Sequence, residues 1–394
     1  MNATAVVIAG KPGESLRVAG IHILDRLIVV LRRGGCDEIT IVSTSPLPPL
    51  RRSAALGITP KVVASIEDAP SAGLFAESDL VVVPADVRAT LEAAGHLVAK
   101  DGSPLPLFVR SSTEPHAKGP AVTASPIARV AVDSDAARRA EKALWASLSS
   151  SADGAVDRWL NRPLSRPLTR VLVRSPITPN QVTLGATAIG LVAAWRFAQG
   201  TPRADIEGAL LFQLSAIVDC IDGDIARATF QESPLGKWLD IGLDQVVHVA
   251  IFIAIALAAG TTGALSPPWP LALGISAAVG TILSFVVVTS IQARRSRRAR
   301  AVTASSTERS SSPVSSAPAA AASPDLLDRL IDSTANRDFS IVLILFACLG
   351  ITHWFLSITA IGVHAFWIIA LVLALRVARK EAGSSVQHEE SSKP

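Results

Sequence analysis

The sequence predicts an α-helical membrane domain of six transmembrane helices, preceded by a small α/β domain. Of the 394 residues, 49% are hydrophobic, a balance that fits neither an ordinary soluble domain nor a wholly embedded one. Apolar runs of roughly 17 to 23 residues, enough to cross a bilayer, begin only at residue 184. We therefore expect a cytoplasmic domain over 1–130, a linker with a juxtamembrane amphipathic helix over 131–183, a membrane domain over 184–380 and a cytoplasmic tail over 381–394.

The first domain has the pattern of an α/β fold with a parallel sheet. "AVVIAG" is typical of a buried strand that leads into a turn, and "HILDRLIVVLRRGG" of an amphipathic helix that ends at glycine. "DEITIVS" and "DLVVVPAD" predict two further strands, so that strands and helix alternate. The first residues show no basic start with an apolar core and cleavage site, so we expect this domain in the cytoplasm.

Six membrane spans follow from the apolar runs. Their expected positions are about 184–201, 207–222, 237–259, 269–291, 340–358 and 361–378. Between spans four and five, residues 301–324 are rich in Ser, Ala and Pro without periodicity, which predicts a disordered cytoplasmic insertion.

The charges of the loops predict the orientation of the membrane domain. "ARRSRRAR" follows span four and "RVARK" follows span six, whereas "TTGALSPP" and "SITAIG" carry no basic residue. By the positive-inside rule both termini lie in the cytoplasm, and the protein is a multi-pass protein of the inner membrane. Beside a span, the arginine run is better explained by orientation and headgroup contact than by nucleic acid, which we do not expect as a partner.

Four aspartates mark a candidate metal site near the ends of spans two and three. Asp219 and Asp222 are three residues apart and Asp240 and Asp244 four, so each pair shares one helix face, with side chains about 5 to 6 Å apart. One uncompensated Asp at the centre of a span costs roughly 2.5 to 3.5 kcal/mol on insertion scales, so four imply a compensating charge. Hard oxygen ligands favour Mg²⁺ or Mn²⁺, and four carboxylates can hold two ions. Asp224, about 140° around the helix from Asp219, is expected outside this site.

The residues between the aspartates suit a diphosphate ligand. Gly223 and Gly236 leave room for close approach of a ligand or a helix, and Arg227 offers a fork of donors to phosphate. The whole pattern resembles the signature of the CDP-alcohol phosphotransferase family of integral membrane enzymes. The residues that carry the resemblance, at the family's spacing, are Asp219, Asp222, Gly223, Ala226, Arg227, Gly236, Asp240 and Asp244.

The resemblance implies a six-helix enzyme that moves a substituted phosphoryl group from a CDP-linked donor to an acceptor hydroxyl and releases CMP. It implies that Asp219, Asp222, Asp240 and Asp244 hold metal and that Asp244 also accepts the proton of the acceptor hydroxyl. Asp222, Gly223, Ala226, Arg227 and Gly236 then belong to the part that binds CDP. The resemblance further implies a homodimer embedded in the lipid bilayer.

The segment "TPNQVT" before span one is similar to the family's entry to its first helix. Asn180 and Thr183 are candidate contacts for the nucleotide, although helix capping and turn formation explain the same residues equally well.

Residues 140–378 are similar to the subgroup that fuses a cytidylyltransferase to a di-myo-inositol phosphate phosphate synthase. The N-terminal domain accordingly resembles a nucleotidyltransferase, but it offers only Lys11 and Arg17 at imperfect spacing, with Asp86 as a candidate metal ligand. We therefore expect this domain to be degenerate and dispensable for the membrane chemistry.

Three functional classes remain open from the sequence. A phosphotransferase can use a CDP-diacylglycerol donor and make a phospholipid, or a CDP-polyol donor such as CDP-inositol and make a polyol phosphodiester. A transporter also tolerates carboxylates within the membrane, but no internal repeat is visible. A scaffold with a vestigial membrane part is disfavoured by the complete signature. Three widely separated cysteines argue against a disulfide framework or a zinc site.

Overall fold

The computed structural model of the chain describes residues 3–111, 119–148, 154–309 and 339–390. The chain folds into two compact units. The first comprises Met1–Ser150, Pro167–Pro179 and Gly223–Glu232, and the second Ser151–Arg166, Asn180–Asp222 and Ser233–Pro394. The first unit therefore extends beyond the expected boundary at residue 130 and takes in the connection between two helices that continue into the second unit.

The first unit contains a seven-stranded mixed sheet and two short ladders. The described strands are β1 Ala3–Ile8, β2 Arg17–Val18, β3 Ile21–His22, β4 Cys36–Val42, β5 Lys61–Val63, β6 Gly73–Glu77, β7 Leu80–Val81, β8 His96–Val98, β9 Pro104–Arg110, β10 Ala121–Thr123 and β11 Arg129–Val130. The order in the main sheet is β10-β8-β9-β6-β1-β4-β5. β1 pairs in parallel with β4 and β6, while β9 runs antiparallel to both β6 and β8. Strands β2 with β3, and β7 with β11, form two short separate ladders.

Eleven α-helices are described in the chain. They are α1 Ile23–Gly34, α2 Arg51–Ala55, α3 Pro84–Glu92, α4 Ser134–Ser147, α5 Arg162–Leu172, α6 Pro179–Phe197, α7 Pro202–Ala228, α8 Pro234–Thr261, α9 Trp269–Arg309, α10 Phe339–Cys348 and α11 Thr352–Glu390. A single π-helical turn, Asp157–Asn161, precedes α5.

Three of the elements expected in the first unit form and one is wrong. β1, α1 and β4 form where the pattern predicted them, and α1 ends at Gly34, directly before Gly35, whose left-handed φ of 110° favours glycine. "DLVVVPAD" is not a strand of the main sheet: only Leu80–Val81 is extended, and Pro84 starts α3 because proline suits the first turn of a helix. On the side of β1 away from β4, the neighbouring strand is β6, a short segment that the sequence pattern did not predict as a strand.

Three helices of the second unit are long and apolar enough to cross a membrane, judged on the described residues. They are Pro234–Thr261, Trp269–Arg294 and Thr352–Arg376, and they match the predicted spans three, four and six in part. Along the second of them, large apolar side chains three or four residues apart remain exposed, as a lipid-facing helix requires. These side chains are Leu271, Ile275, Val279, Ile282 and Val286.

The break between the last two helices differs from the predicted one. "SITAIG" lies inside α11, and the chain turns instead at Gly350, whose φ is 67°. There the Ile351 N–H donates to the Phe346 carbonyl at 3.0 Å and the Gly350 N–H to the Ala347 carbonyl at 3.1 Å, the two bonds of a Schellman C-cap. The sequence analysis missed this helix end because residues on both sides of it are apolar, and a hydropathy profile does not respond to the backbone conformation of one glycine.

The predicted insertion at 301–324 is also corrected in part. Residues 301–309 continue helix α9, consistent with the helix-favouring alanines and arginines around them. The rest of the predicted insertion lies outside the described residues.

Helices α6, α7 and α8 approach closely at Gly190. A Cβ built at Gly190 would lie 2.6 and 2.8 Å from the two methyl groups of Val247 on α8 and 3.2 Å from the Ser215 hydroxyl on α7. The Ser215 hydroxyl also donates to the Ala186 carbonyl at 2.8 Å. Since α7 and α8 carry the signature aspartates, this glycine lets the two helices come together.

We predict that Gly190→Ala destabilises the second unit. Valine is stiff about its first side-chain bond, so the overlap with Val247 is relieved only by shifting a helix, at a cost of about 1 to 3 kcal/mol. The Tm of the purified protein in detergent should fall. Gly185→Ala is the matched control, because a Cβ at this exposed position of the same helix meets nothing within 4 Å. Equal Tm values for the two variants would contradict the close approach.

Candidate active site

The start of helix α8 places the second half of the signature. The Ser233 hydroxyl accepts a 2.9 Å hydrogen bond from the Gly236 N–H, and Pro234 occupies the first turn, so the helix begins at a defined residue. Gly236 lies beside the start of α6, since a Cβ there would be 3.2 Å from Asn180 Oδ1. The structure thus brings together two residues that the sequence assigned to the CDP-binding part.

Asp219, Asp222 and Asp240 form a compact carboxylate cluster. One oxygen of each lies within 4.8 Å of the other two, with Asp219 and Asp222 on α7 and Asp240 on α8. Asp222 is buried and the other two are half-buried. Like charges this close repel one another, and a bound cation would offset the repulsion. The donors are all hard oxygens and lie within reach of one ion, so the set fits Mg²⁺ or Mn²⁺.

The Thr183 hydroxyl donates a short hydrogen bond to Asp222. Thr183 is buried and lies on the second turn of α6, so the first, second and third helices of the second unit all contribute to the cluster or to its support. The sequence assigned Thr183 to the nucleotide or to helix capping. In the structure its hydroxyl instead orients a carboxylate of the cluster, a contact that only the pairing of α6 with α7 creates.

Asp244 lies one turn beyond Asp240 on α8 and is half-buried. Among the described residues, the cluster within 4.8 Å comprises three aspartates and does not include Asp244. Three of the four predicted ligands therefore lie within this mutual distance.

Asp224 has a role that the sequence analysis did not assign to it. Its carboxylate is buried and accepts a 2.8 Å hydrogen bond from Arg227 Nη2, three residues along α7. The same guanidinium lies against Gly223, where a Cβ would be 3.3 Å from Arg227 Nη1. Gly223 and Asp224 therefore fix the side chain of the arginine that the sequence assigned to CDP. The signal was available as the i, i+3 spacing of opposite charges.

The candidate nucleotidyltransferase residues of the first unit are engaged within it. Asp86 is buried and accepts from the Val83 and Ser125 N–H groups and from the Ser125 hydroxyl, at 2.8 to 3.1 Å. Lys11 forms a 2.8 Å ion pair with Glu77, which raises the pKa of the lysine. Arg17 lies 3.3 Å from the His22 ring. Asp86 thus ties the start of α3 to a loop.

Comparison with known proteins agrees with this geometry. Residues 176–307 match the CDP-alcohol phosphatidyltransferase family. This part of the chain is similar to CDP-alcohol phosphatidyltransferase domains. It contains the carboxylate cluster, Asp244 and both candidate nucleotide-binding segments, and it accounts for the complete signature.

Relatives of this domain include two kinds of synthase. The bifunctional IPC transferase and DIPP synthase of Rubrobacter xylanophilus is 37% identical over 100 residues, which are 25% of this chain and 22% of the relative. The archaetidylinositol phosphate synthase of Pyrococcus horikoshii is 35% identical over 81 residues, 21% of this chain and 42% of the relative. The matched part is thus less than half the length of either relative.

A crystal structure of the phosphatidylinositol phosphate synthase of Mycobacterium tuberculosis aligns with 52% of this chain and 94% of its own, at 18% identity and a TM-score of 0.32.

We predict that Thr183→Val weakens divalent metal binding. Valine keeps the shape of threonine but cannot hold the Asp222 carboxylate, and loss of such a supporting contact costs about 10- to 100-fold in metal affinity. A titration with Mn²⁺, in which the free ion is measured by electron paramagnetic resonance, should show this loss of affinity. Thr183→Ser keeps the hydroxyl and should retain most of the wild-type affinity.

Thr187→Val is the matched control for this titration. Thr187 lies one turn further along α6 and donates only to the Thr183 carbonyl, at 2.9 Å. Its loss should leave Mn²⁺ affinity unchanged, and equal effects of the two valines would contradict the role of Thr183.

Proposed function

We propose that this protein is an integral membrane CDP-alcohol phosphotransferase that transfers a substituted phosphoryl group to an acceptor hydroxyl and releases CMP. The observation that carries the proposal is the cluster of Asp219, Asp222 and Asp240 inside a domain of this family. Three apolar helices of spanning length support a place in the bilayer. We further propose that the protein lies in the inner membrane with both termini in the cytoplasm, because runs of basic residues follow spans four and six.

The cluster is proposed to hold one or two divalent cations, Mg²⁺ or Mn²⁺. A bound cation would neutralise the negative charge of the diphosphate and of the departing CMP. Asp219, Asp222 and Asp240 provide its ligands, and Thr183 holds Asp222 in place through its hydroxyl. Asp244 is proposed to complete the ligand set when substrate is present.

The CDP moiety is proposed to be bound by the signature residues around the cluster. Arg227, fixed by Asp224, offers charged N–H donors to a phosphate. Gly223, Ala226 and Gly236 present small side chains or none, which lets the nucleotide approach the helix backbones. Asn180 lies next to Gly236 and offers a side-chain amide for the nucleotide.

In the proposed reaction the acceptor hydroxyl oxygen attacks the phosphorus that bears the alcohol substituent of the donor. The bond from that phosphorus to the bridging oxygen breaks, and CMP leaves with the oxygen. Asp244 accepts the proton of the hydroxyl as the new phosphorus–oxygen bond forms, so charge and atoms balance. The activated donor makes a covalent enzyme intermediate unnecessary.

The donor is proposed to be CDP-diacylglycerol and the product a phospholipid. A CDP-polyol donor, which would give a polyol phosphodiester, is the second candidate, because one relative is a bifunctional IPC transferase and DIPP synthase and another is an archaetidylinositol phosphate synthase. We further propose that the enzyme is a homodimer, as the family resemblance implies.

We predict that the purified protein releases CMP from a CDP-linked donor only in the presence of a divalent cation. Labelled CDP-diacylglycerol and CDP-inositol should be compared with Mg²⁺ and with a panel of alcohols that includes inositol phosphate. Excess EDTA should abolish release, and Mg²⁺ or Mn²⁺ should restore it. No release from any donor would favour a transporter or a scaffold, and full activity in excess EDTA would refute the metal-dependent mechanism.

We predict that Asp244→Asn lowers kcat by about 10²-fold or more while donor affinity changes little. Asparagine keeps the size of the side chain and one oxygen but cannot accept the proton, and losing a general base has this scale of effect. Steady-state CMP release at several donor concentrations separates kcat from KM.

Asp205→Asn is the control for this measurement. Asp205 lies near the start of α7 and accepts from the Thr352 hydroxyl at 2.8 Å, a bond that asparagine can keep. The kcat of this variant should stay within about twofold of the wild-type value, which corresponds to less than about 0.5 kcal/mol in activation free energy. Asp224→Asn cannot serve as a control, since it removes the partner of Arg227.

A further inference from the structure

The segment Gly223–Glu232, which connects α7 to α8, is held by helix α1 of the first unit. Arg26 of α1 is buried, and its Nη1 donates a 2.7 Å hydrogen bond to the Ala228 carbonyl near the last turn of α7. Its guanidinium carbon also lies 4.7 Å from the centre of the Phe230 ring. Burial lowers the pKa of Arg26 to about 10, so the side chain remains charged at neutral pH.

A second arginine, Arg33, holds the same segment two turns further along α1. Its Nη1 forms a 2.6 Å ion pair with Glu232, its Nη2 donates to the Phe230 carbonyl at 3.3 Å, and its guanidinium carbon lies 4.9 Å from the Phe230 ring. Cations placed over an aromatic face within about 6 Å are attracted to it. Phe230 thus receives two guanidinium groups from one helix.

The backbone of Phe230 takes a left-handed conformation just after the end of α7. Its φ is 59°, a left-handed value that is rare for a bulky side chain and persists only where the surroundings determine it. The ring is buried among apolar residues of the first unit, including Leu24 and Leu27 of α1. The connection is therefore a built part of the first unit.

This connection has a direct consequence for the carboxylate cluster. Asp222 immediately precedes the segment on α7, and Asp240 follows it within two turns of the start of α8. The cluster needs carboxylates from both helices within 4.8 Å. Whatever fixes the segment between them also limits how the end of α7 and the start of α8 can shift.

We propose that Arg26 and Arg33 are positioning residues for the transferase site, and that the first unit serves the membrane chemistry by holding the α7–α8 connection. The proposal rests on the proposed function. It replaces the sequence-based expectation that the N-terminal domain is dispensable, and it gives a domain that we expect to be degenerate a reason to be retained.

The ion pair of Arg33 allows a test by charge reversal in the full-length protein. Arg33→Glu should raise the Mg²⁺ concentration for half-maximal CMP release by about tenfold and lower kcat, since small misplacements of reacting groups have large effects on rate. Glu232→Arg alone should behave similarly. The double variant Arg33→Glu with Glu232→Arg restores opposite charges and should recover most of the loss.

Arg32→Glu is the matched control. Arg32 is the neighbouring residue on α1 and forms a 2.7 Å ion pair of the same kind, but with Asp37 of β4 rather than with the α7–α8 connection. Its activity and Mg²⁺ dependence should stay within about twofold of the wild type. A general loss of folded protein would lower kcat without moving the Mg²⁺ midpoint, so the midpoint separates positioning from stability.

Arg26→Lys provides a second variant that keeps the buried charge. Lysine lacks the planar fork that both donates to Ala228 and lies over Phe230, so the Mg²⁺ midpoint should shift in the same direction as for Arg33→Glu. Wild-type Mg²⁺ midpoints in Arg33→Glu and Arg26→Lys, or no recovery in the double reversal, would overturn the proposal.

Hydrogen exchange makes the inference testable apart from transferase activity. The amides of residues 228–232 should exchange faster in Arg33→Glu than in Arg32→Glu and should regain protection in the double reversal. If the wild type releases no CMP, the proposed function fails while this exchange pattern still reports on the contact. Unchanged exchange in Arg33→Glu would refute the contact itself.

Discussion

The second unit depends on bringing carboxylates from two apolar helices to one place. Asp219, Asp222 and Asp240 each carry a charge that is costly beside hydrocarbon, and their mutual repulsion adds to that cost. The helices tolerate them because the packing around them is fixed by small residues and hydroxyl groups. Gly190 permits the approach of α6 to α8, and Thr183 gives Asp222 a donor. A divalent cation bound by these carboxylates would add to this stabilisation.

A second set of polar contacts lies in the same unit and has a different character. Gln213 of α7 donates to Asn161 at 2.5 Å and accepts from the Ser340 hydroxyl at 2.7 Å, while Asn161 donates to Asp157 at 2.7 Å. Each amide is hydrogen-bonded to its neighbours, so this chain of side chains joins the π-helical turn to α7 and α10 at little desolvation cost. This chain of hydrogen bonds holds helices together, whereas the cluster of three carboxylates places charges of the same sign close to one another.

The sequence predicted the residues of the cluster because their spacing is a property of one helix at a time. Asp219 with Asp222, and the later Asp240, follow from helical periodicity and the cost of buried charge. Contacts made between segments could not be predicted in this way. The hydrogen bond of Thr183 to Asp222 and the contacts of Arg26 with Ala228 join residues 39 and 202 positions apart. The stop at Gly350 was missed for the opposite reason, since a single backbone angle leaves no trace in a hydropathy profile.

The contacts inside the first unit bear on the expectation that its α/β domain is degenerate. Its candidate catalytic groups are taken up by its own structure: Asp86 accepts hydrogen bonds from Val83 and Ser125, and Lys11 is paired with Glu77. By contrast, Arg26 buries a full charge to reach a carbonyl more than 200 residues away in sequence. Burying an arginine costs free energy, which the Ala228 carbonyl, the Phe230 ring and the attraction of Glu141 offset in part. The segment held in this way joins the two helices that carry the clustered aspartates, so the proposed positioning role of Arg26 acts through the backbone that links Asp222 to Asp240.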